Sequence, residues 1–292
     1  VAVLIDRPIW PAHGTLFSHL VSDASLAELH RFAHHARVPA RAFDRDHYDV
    51  AEHRHAELVA AGAVPVAGGE LAARLRASGL RVTKRQHRAQ AQQRRTRLSE
   101  QWQRLLPDRA ALGGELIDRW AEPRRRYHDQ QHLAECLAAV DELWPGHPRT
   151  LGLAVWFHDA VYLGIPGSDE EASALLAERR LAGVVSEDEV AEVARLVRLT
   201  AGHDPEPGDR AGVTLNDADL SILAAPADRY AGYLAGVRAE YHQLTPEVFA
   251  AGRRAVVAGL LERPVLFGTP AGRERWEAAA RDNLTAELAG EF

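Results

Sequence analysis

Two imidazoles and two carboxylates, spread over three apolar segments, are the residues best suited to chemistry. In RRRYHDQQHLAECLAAVDELW, His132, Cys136 and Val140 step by four beside Leu133, Leu137 and Trp144. His132 therefore falls on the apolar stripe of a helix, where a histidine is either a satisfied core residue or a ligand. In LGLAVWFHDAVYLG, Leu151, Ala154, Val155 and His158 share one face, and Asp159 follows within a nearly all-apolar run. A carboxylate buried there needs a partner or a metal, because burying it alone is costly. In VTLNDADLSILAAP, Asp217 and Asp219 open an apolar helix. Acidic residues also occupy first turns simply to meet the helix dipole.

Taken together, the pattern H…HD…D offers two nitrogen and two oxygen ligands from three helices. Such a mixed set suits Mn, Fe, Co, Ni or Zn better than a purely oxygen site would, and a helical bundle can point it inward. The expected cofactor is a divalent metal ion, one or two per chain: Mn, Co, Ni, Fe, Zn or Mg.

The elements that must position these residues are mostly helices. From Ser99 onward, helical patterns cover 99–106, 109–121, 129–144, 149–161, 169–182, 187–201, 216–224, 227–242, 246–262 and 271–289, with prolines between them or at their starts. Residues 1–82 differ. Val1–Ile5 reads as a strand, 25–36 as a helix with a Ser25/Glu28 capping box, Arg41–Phe43 as a short strand, 51–61 as a helix, Ala63–Val66 as a strand, 69–78 as a helix and Leu80–Val82 as a strand. The expected fold class is mainly α: a small N-terminal α/β domain at 1–82, a basic linker at 83–98 and an all-helical domain at 99–292. The linker, TKRQHRAQAQQRRTRL, reads as a solvated helix or as a nucleic-acid contact strip.

Composition narrows the function classes. The 292 residues carry 46% hydrophobic and 26% charged side chains, as ordinary globular proteins do. A net charge of -6 argues against general nucleic-acid binding. The single cysteine, Cys136, excludes an internal disulfide and a thiolate zinc site, which fits a reducing cytoplasm. No apolar run approaches the roughly 20 residues that span a bilayer. The expectation is a cytoplasmic location with no membrane partner.

At greater length, residues 119–290 resemble the HD-superfamily predicted phosphohydrolases. The resembling stretches are RRRYHDQQHLAECL, LAVWFHDAVY, SDEEASA, LTAGHD, NDADLSILA, VRAEY, FAAGRR and ARDNLTAEL. The resemblance implies metal ligation by His132, His158, Asp159 and Asp219, taking the second aspartate of the DxD. It also implies hydrolysis of a phosphate ester, such as a nucleotide or related small phosphate, by a metal-activated water. Glu170 or Glu171 is the candidate general base or acid, with the family favouring Glu171. His203 is a candidate to bind a second metal or the leaving phosphate, with a helix-dipole role as the other account, and His128 is a candidate to contact phosphate or to support the ligands from behind. Arg238, Tyr241, Arg253 and Arg281 lie in matching motifs, and the planar fork of arginine suits phosphate. Arg124–Arg126 are placed to guide an anion. Residues 1–82 resemble a small bacterial domain of unknown function, DUF4031, through VLIDRPIW, HGTLFSHLVSD, ELHRFA and DHYDV. His19, Asp23, His30, His47 and Asp49 form a candidate polar site there, with capping and structural hydrogen bonds as the other account.

Two further function classes stand beside the hydrolase. One is a non-catalytic nucleotide-binding or nucleic-acid-associated module. The other is an HD-type di-iron oxygenase, disfavoured because only His203 lies between Asp159 and Asp219 to supply an extra imidazole.

Overall fold

The computed structural model of the chain describes residues 2–206 and 208–290. Val1 of the expected first strand, and residues 207, 291 and 292 of the expected helical domain, lie outside the described residues. Among the described residues there are thirteen α-helices, and the chain is 64% helical, so the fold is mainly α with a small N-terminal α/β region. The chain divides into two compact units. One draws on residues up to Arg88, on Pro226–Phe249 and on the chain from Thr285; the other on Ala89–Ala225 and Ala250–Leu284.

The first unit is built on a mixed sheet. Its elements are β1 (Val3–Ile5), β2 (Trp10–Ala12), β3 (Thr15–Ser22), α1 (Leu26–His35), β4 (Phe43–Asp44), β5 (His47–Ala51), α2 (Glu52–Ala60), β6 (Val64–Pro65) and α3 (Gly68–Ala77). The strand order is β4-β5-β3-β1-β6, with β2 folded back on β3; β1 and β6 run parallel, and the other pairs among the described residues are antiparallel. Alternation sends side chains to opposite faces. Val3, Ile5, Leu20, Tyr48 and Val50 pack with Leu29, Ala33 and Leu58 on one face, while Leu4 and Val21 meet Leu71 and Leu75 on the other. Leu80–Val82 is not a strand. The Val82 N–H goes to the buried Asp46 carboxylate at 2.6 Å, and the Leu80 N–H to the Ser78 hydroxyl at 3.3 Å, so neither joins the sheet.

The remaining helices are α4 (Lys84–Leu105), α5 (Ala110–Arg119), α6 (Gln130–Leu143), α7 (Arg149–Phe157), α8 (Ser168–Leu181), α9 (Glu187–Leu199), α10 (Arg210–Leu220), α11 (Ala227–Glu240), α12 (Pro246–Glu262) and α13 (Pro270–Ala289). The basic stretch 83–98 falls in α4, mostly exposed until Leu98 and Trp102 enter the core. α11 belongs to the first unit and packs on α1, where Asp228 accepts the Ala27 N–H at 2.9 Å near the start of α1. The second unit buries Trp102, Trp120 and Trp156 among Leu116, Leu133, Val140, Leu151, Val155 and Val197.

Two helices differ from expectation where they bear on the site. α7 ends at Phe157, not at residue 161, so His158 and Asp159 lie just beyond its last turn. Helix ends leave carbonyls without partners. Here the buried guanidinium of Arg125 takes the carbonyls of Asp159 and Ala160, at 2.8 and 3.3 Å. α10 starts at Arg210, not at 216, because Asp209 caps it by accepting the Gly212 N–H at 2.9 Å. Asp217 and Asp219 therefore close a helix instead of opening one.

Candidate metal centre

His132 sits in the first turn of α6, which Asp129 caps by accepting the Gln131 N–H at 2.7 Å. His158 and Asp159 follow α7, and Asp219 lies one residue before the end of α10. These three helix ends bring the four side chains together. His132 Nε2 is 3.1 Å from Asp219 Oδ1, 3.3 Å from His158 Nε2 and 3.9 Å from Asp159 Oδ2. His158 Nε2 is 3.4 Å from Asp159 Oδ2 and 3.8 Å from Asp219 Oδ1. Both histidines are 1% exposed, so their environment is that of the core.

The outer nitrogens are fixed as well. His158 Nδ1 lies 2.8 Å from the Val155 carbonyl, which can only accept, so Nδ1 carries a proton and the neutral ring keeps its lone pair on Nε2. His132 Nδ1 meets the Tyr127 hydroxyl at 3.1 Å. The Trp120 ring lies against both imidazoles, at 6.1 and 5.2 Å, and its indole N–H is bound to the Trp156 carbonyl. Histidines anchored at one nitrogen and converging at the other are the arrangement in which imidazoles bind metals. The Nε2 atoms of His132 and His158 and a carboxylate oxygen of Asp219 lie close enough together to hold one ion, with Cys136 Sγ beside them; Asp159 Oδ2 stands 3.9 and 3.4 Å from the two Nε2 atoms.

Electrostatics favour a cation at this point. Burial opposes ionisation of Asp219, but the His132 hydrogen bond and the neighbouring imidazoles of His158, His132 and His203 hold its carboxyl well below the usual carboxylate range. Asp159 has no arginine on its carboxylate among the described residues; Arg125 takes its main-chain oxygen instead.

The two aspartates of the DxD have different surroundings. Asp217 is fully buried and faces away from the histidines. Its Oδ1 accepts the Gly268 N–H at 2.8 Å, and its Oδ2 accepts the Thr269 N–H and O–H at 2.8 and 2.7 Å. It fixes the chain entering α13. Cys136 lies one turn after His132, with Sγ 3.6 and 3.7 Å from the two ring nitrogens. Near-equal distances put the sulfur across the ring and not in line with either lone pair.

Of the flanking residues, His203 and His128 are close to this centre. His203, in the left-handed region at φ 49, has Nε2 3.7 Å from Asp219 Oδ2 and Nδ1 3.0 Å from Asn216 Oδ1. His128 stacks on Tyr162 at 4.2 Å and meets the His132 ring at 5.6 Å. Glu171 is instead engaged by Arg198, at 2.6 and 2.8 Å, and that pairing holds its carboxyl low. Glu170 accepts the Gly167 N–H at 2.5 Å as part of the α8 cap. Arg238 lies in the first unit, where it donates to the carbonyls of Tyr241 and Leu244 and packs over Phe249. Arg281 likewise braces the carbonyls of Leu261, Arg263 and Pro264. Arg253 is half-buried on α12. Arg125, expected with its neighbours to guide an anion, is buried beneath the site between Trp120 and Tyr162. Tyr127, Trp120 and Asn216 were not singled out from the sequence, although Tyr127 and Asn216 fall inside motif stretches.

Residues 3–78 match the model of DUF4031, a family described as a protein of unknown function. No curated protein and no solved structure matches the chain. No HD-type family model matches the helical region. Within the DUF4031 region, Asp23 accepts the Ala2 N–H and pairs with Arg74, and His30 is buried against the Tyr48 hydroxyl at 2.8 Å. His19, His47 and Asp49 share one face of the sheet.

Proposed function

We propose that the helical unit hydrolyses a phosphate ester, of a nucleotide or related small phosphate, with a divalent metal held by His132, His158, Asp159 and Asp219. The observation that carries this reading is the convergence of four donor atoms from three helix ends, with Asp159 and Asp219 unpaired to any guanidinium among the described residues. An ion bound there supplies positive charge that polarises a phosphate oxygen and acidifies water. The protein's own groups do the rest. Tyr127 and the Val155 carbonyl hold the two ligand rings in orientation. Arg125 fixes the turn that carries His158 and Asp159. His203 takes the proton-handling role first expected of Glu171, because its Nε2 faces Asp219 while Asn216 fixes its other nitrogen. His128 and Arg253 are the remaining candidates for phosphate contact.

The test is a phosphatase screen of the full chain across nucleotides and sugar phosphates, with Mn, Co, Ni, Mg and Zn supplied in turn. Turnover is expected with at least one ion, and Asp159→Ala is expected to lose at least about two orders of magnitude of it, since metal activation of water supplies several kcal/mol. The ion-free Asp159→Ala protein should melt close to wild type, because no guanidinium loses a partner. Metal binding without turnover of any ester would sink the hydrolase and leave a nucleotide-binding role.

A further inference from the structure

The DUF4031 region carries a second convergence of imidazole and carboxylate, built on the sheet. β3 and β5 pair antiparallel with His19 directly opposite Asp49. His47 lies two residues before Asp49 on the same strand, so all three side chains rise from one face, the face that carries Leu4 and Val21. His19 Nε2 is 3.8 Å and His47 Nε2 is 3.5 Å from the same atom, Asp49 Oδ1. The two rings meet edge to face at 5.0 Å.

Behind each ring stands a second, buried carboxylate. His19 Nδ1 is 3.0 Å from Asp6 Oδ2, and Asp6 is itself held by the His19 N–H at 2.6 Å and the Trp10 indole N–H at 3.1 Å. His47 Nδ1 is 2.8 Å from Asp46 Oδ1, and Asp46, fully buried, also accepts the Val82 N–H at 2.6 Å and pairs with Arg81. A carboxylate on Nδ1 fixes the proton there and leaves the neutral ring's lone pair on Nε2. The carboxylate–histidine pair is the outer arrangement that orients imidazoles around metals, and here it occurs twice.

We propose that His19, His47 and Asp49 form a binding site for a divalent first-row transition metal, with Asp6 and Asp46 as the carboxylates that orient the two imidazoles. Asp6 and Asp46 already hold the two rings through Nδ1, and both Nε2 atoms still converge on one further oxygen, Asp49 Oδ1. Their separations from that oxygen exceed a hydrogen bond and approach the roughly 3.3 Å between ligands that lie about 2.0 Å from a tetrahedral ion. The three carboxylates outnumber the guanidinium of Arg81, and despite burial Asp46 and Asp49 raise the His47 pKa to about 9, so a metal ion entering the site displaces a proton from that ring. Two nitrogens and one oxygen select Zn, Fe, Co, Ni or Mn over Mg or Ca. Asp49 is 47% exposed, so the fourth side of the site opens to water or to a small ligand.

The test uses the full chain stripped with chelator and titrated with Zn2+ and Co2+, following bound metal per chain and the visible spectrum of Co2+. It is run in wild type and in Asp219→Asn, so that loss of the helical centre is read separately. Asp49→Asn and His19→Gln should each remove one metal equivalent in both backgrounds. Asp6→Asn should keep the equivalent but weaken it by about 10- to 100-fold, as loss of an orienting carboxylate does. Asp49→Asn alters an exposed side chain, so the test survives a failure of His19→Gln to fold. Metal content and Co2+ spectrum unchanged by Asp49→Asn would overturn the proposal.

Discussion

Replacing Asp217 and Asp219 separately by asparagine should give opposite phenotypes, although the two residues are adjacent members of one DxD. Residues two apart on a helix point about 200° away from each other. Asp217 therefore faces α13 while Asp219 faces the histidines. Asp217 uses both oxygens, for one donor on Gly268 and two on Thr269. Asparagine offers a single acceptor and sets an N–H against donors. Hydrogen bonds to a charged group are worth about 1.5–3 kcal/mol each. Burial already disfavours this carboxylate and pushes its pKa up, which offsets part of that gain. The expected cost of Asp217→Asn is on the order of 3 kcal/mol, with metal binding intact in the folded fraction. Asp219 receives one imidazole hydrogen bond and is costly to bury as an anion, so Asp219→Asn should change ion-free stability by about 1 kcal/mol or less. It should instead lose metal-induced stabilisation, about 2.7 kcal/mol at an ion concentration 100 times the wild-type Kd. Urea unfolding of chelated and metal-loaded protein measures both quantities. If Asp217→Asn spares stability, or if it loses the metal effect while Asp219→Asn keeps it, the assignment within the DxD is wrong.

Two other expectations concern the scaffold. Burial pushes His30 down to about 4, so the unfolded chain, with an ordinary value near 6.5, takes up the proton first. The contribution of neutral His30 is full above about pH 6.5 and is lost as pH falls through that window. The loss should be on the order of 3 kcal/mol by pH 4, read as the stability difference between wild type and His30→Gln at pH 7.5 and at acidic pH. A Cβ on Gly113 collides with the buried Trp102 indole, whereas one on Gly114 meets nothing. Gly113→Ala should cost about 1–3 kcal/mol and Gly114→Ala should stabilise by about 0.5–1 kcal/mol, and equal melting temperatures for the pair would refute this.

The helices were legible because their signals are local. The 3.6-residue stripe and the prolines place α12 over Pro246–Glu262 as expected, and α6, α9 and α13 within two residues. The hairpin of β2 and β3 leaves no such local signal. Its turn is His13-Gly14, both at positive φ, and a histidine there does not announce a turn as asparagine or aspartate would. That hides β3, the central strand, which pairs with β1, β2 and β5. α10 started early because its cap, Asp209, follows a proline-rich loop that reads as a break.

At the site, residue type was legible and the partner was not. Apolar surroundings make His132, His158 and Asp159 stand out, because an unpaired polar group in such a run needs an explanation. Nothing local separates Asp217 from Asp219, since the deciding donors on Gly268 and Thr269 are 51 and 52 residues away. The pairing of Glu171 is hidden for the same reason: Arg198, the group that engages it, is 27 residues on, in α9. Three successive arginines look like one patch, yet only Arg125 is buried, with Arg124 and Arg126 exposed. Its burial follows from the early end of α7, whose following carbonyls at Asp159 and Ala160 need a donor that the helix itself does not supply. The arginine run and the break after Phe157 are thus one feature, a helix end closed by a distant guanidinium. Neither half implies the other until both are seen to meet beneath His158 and Asp159.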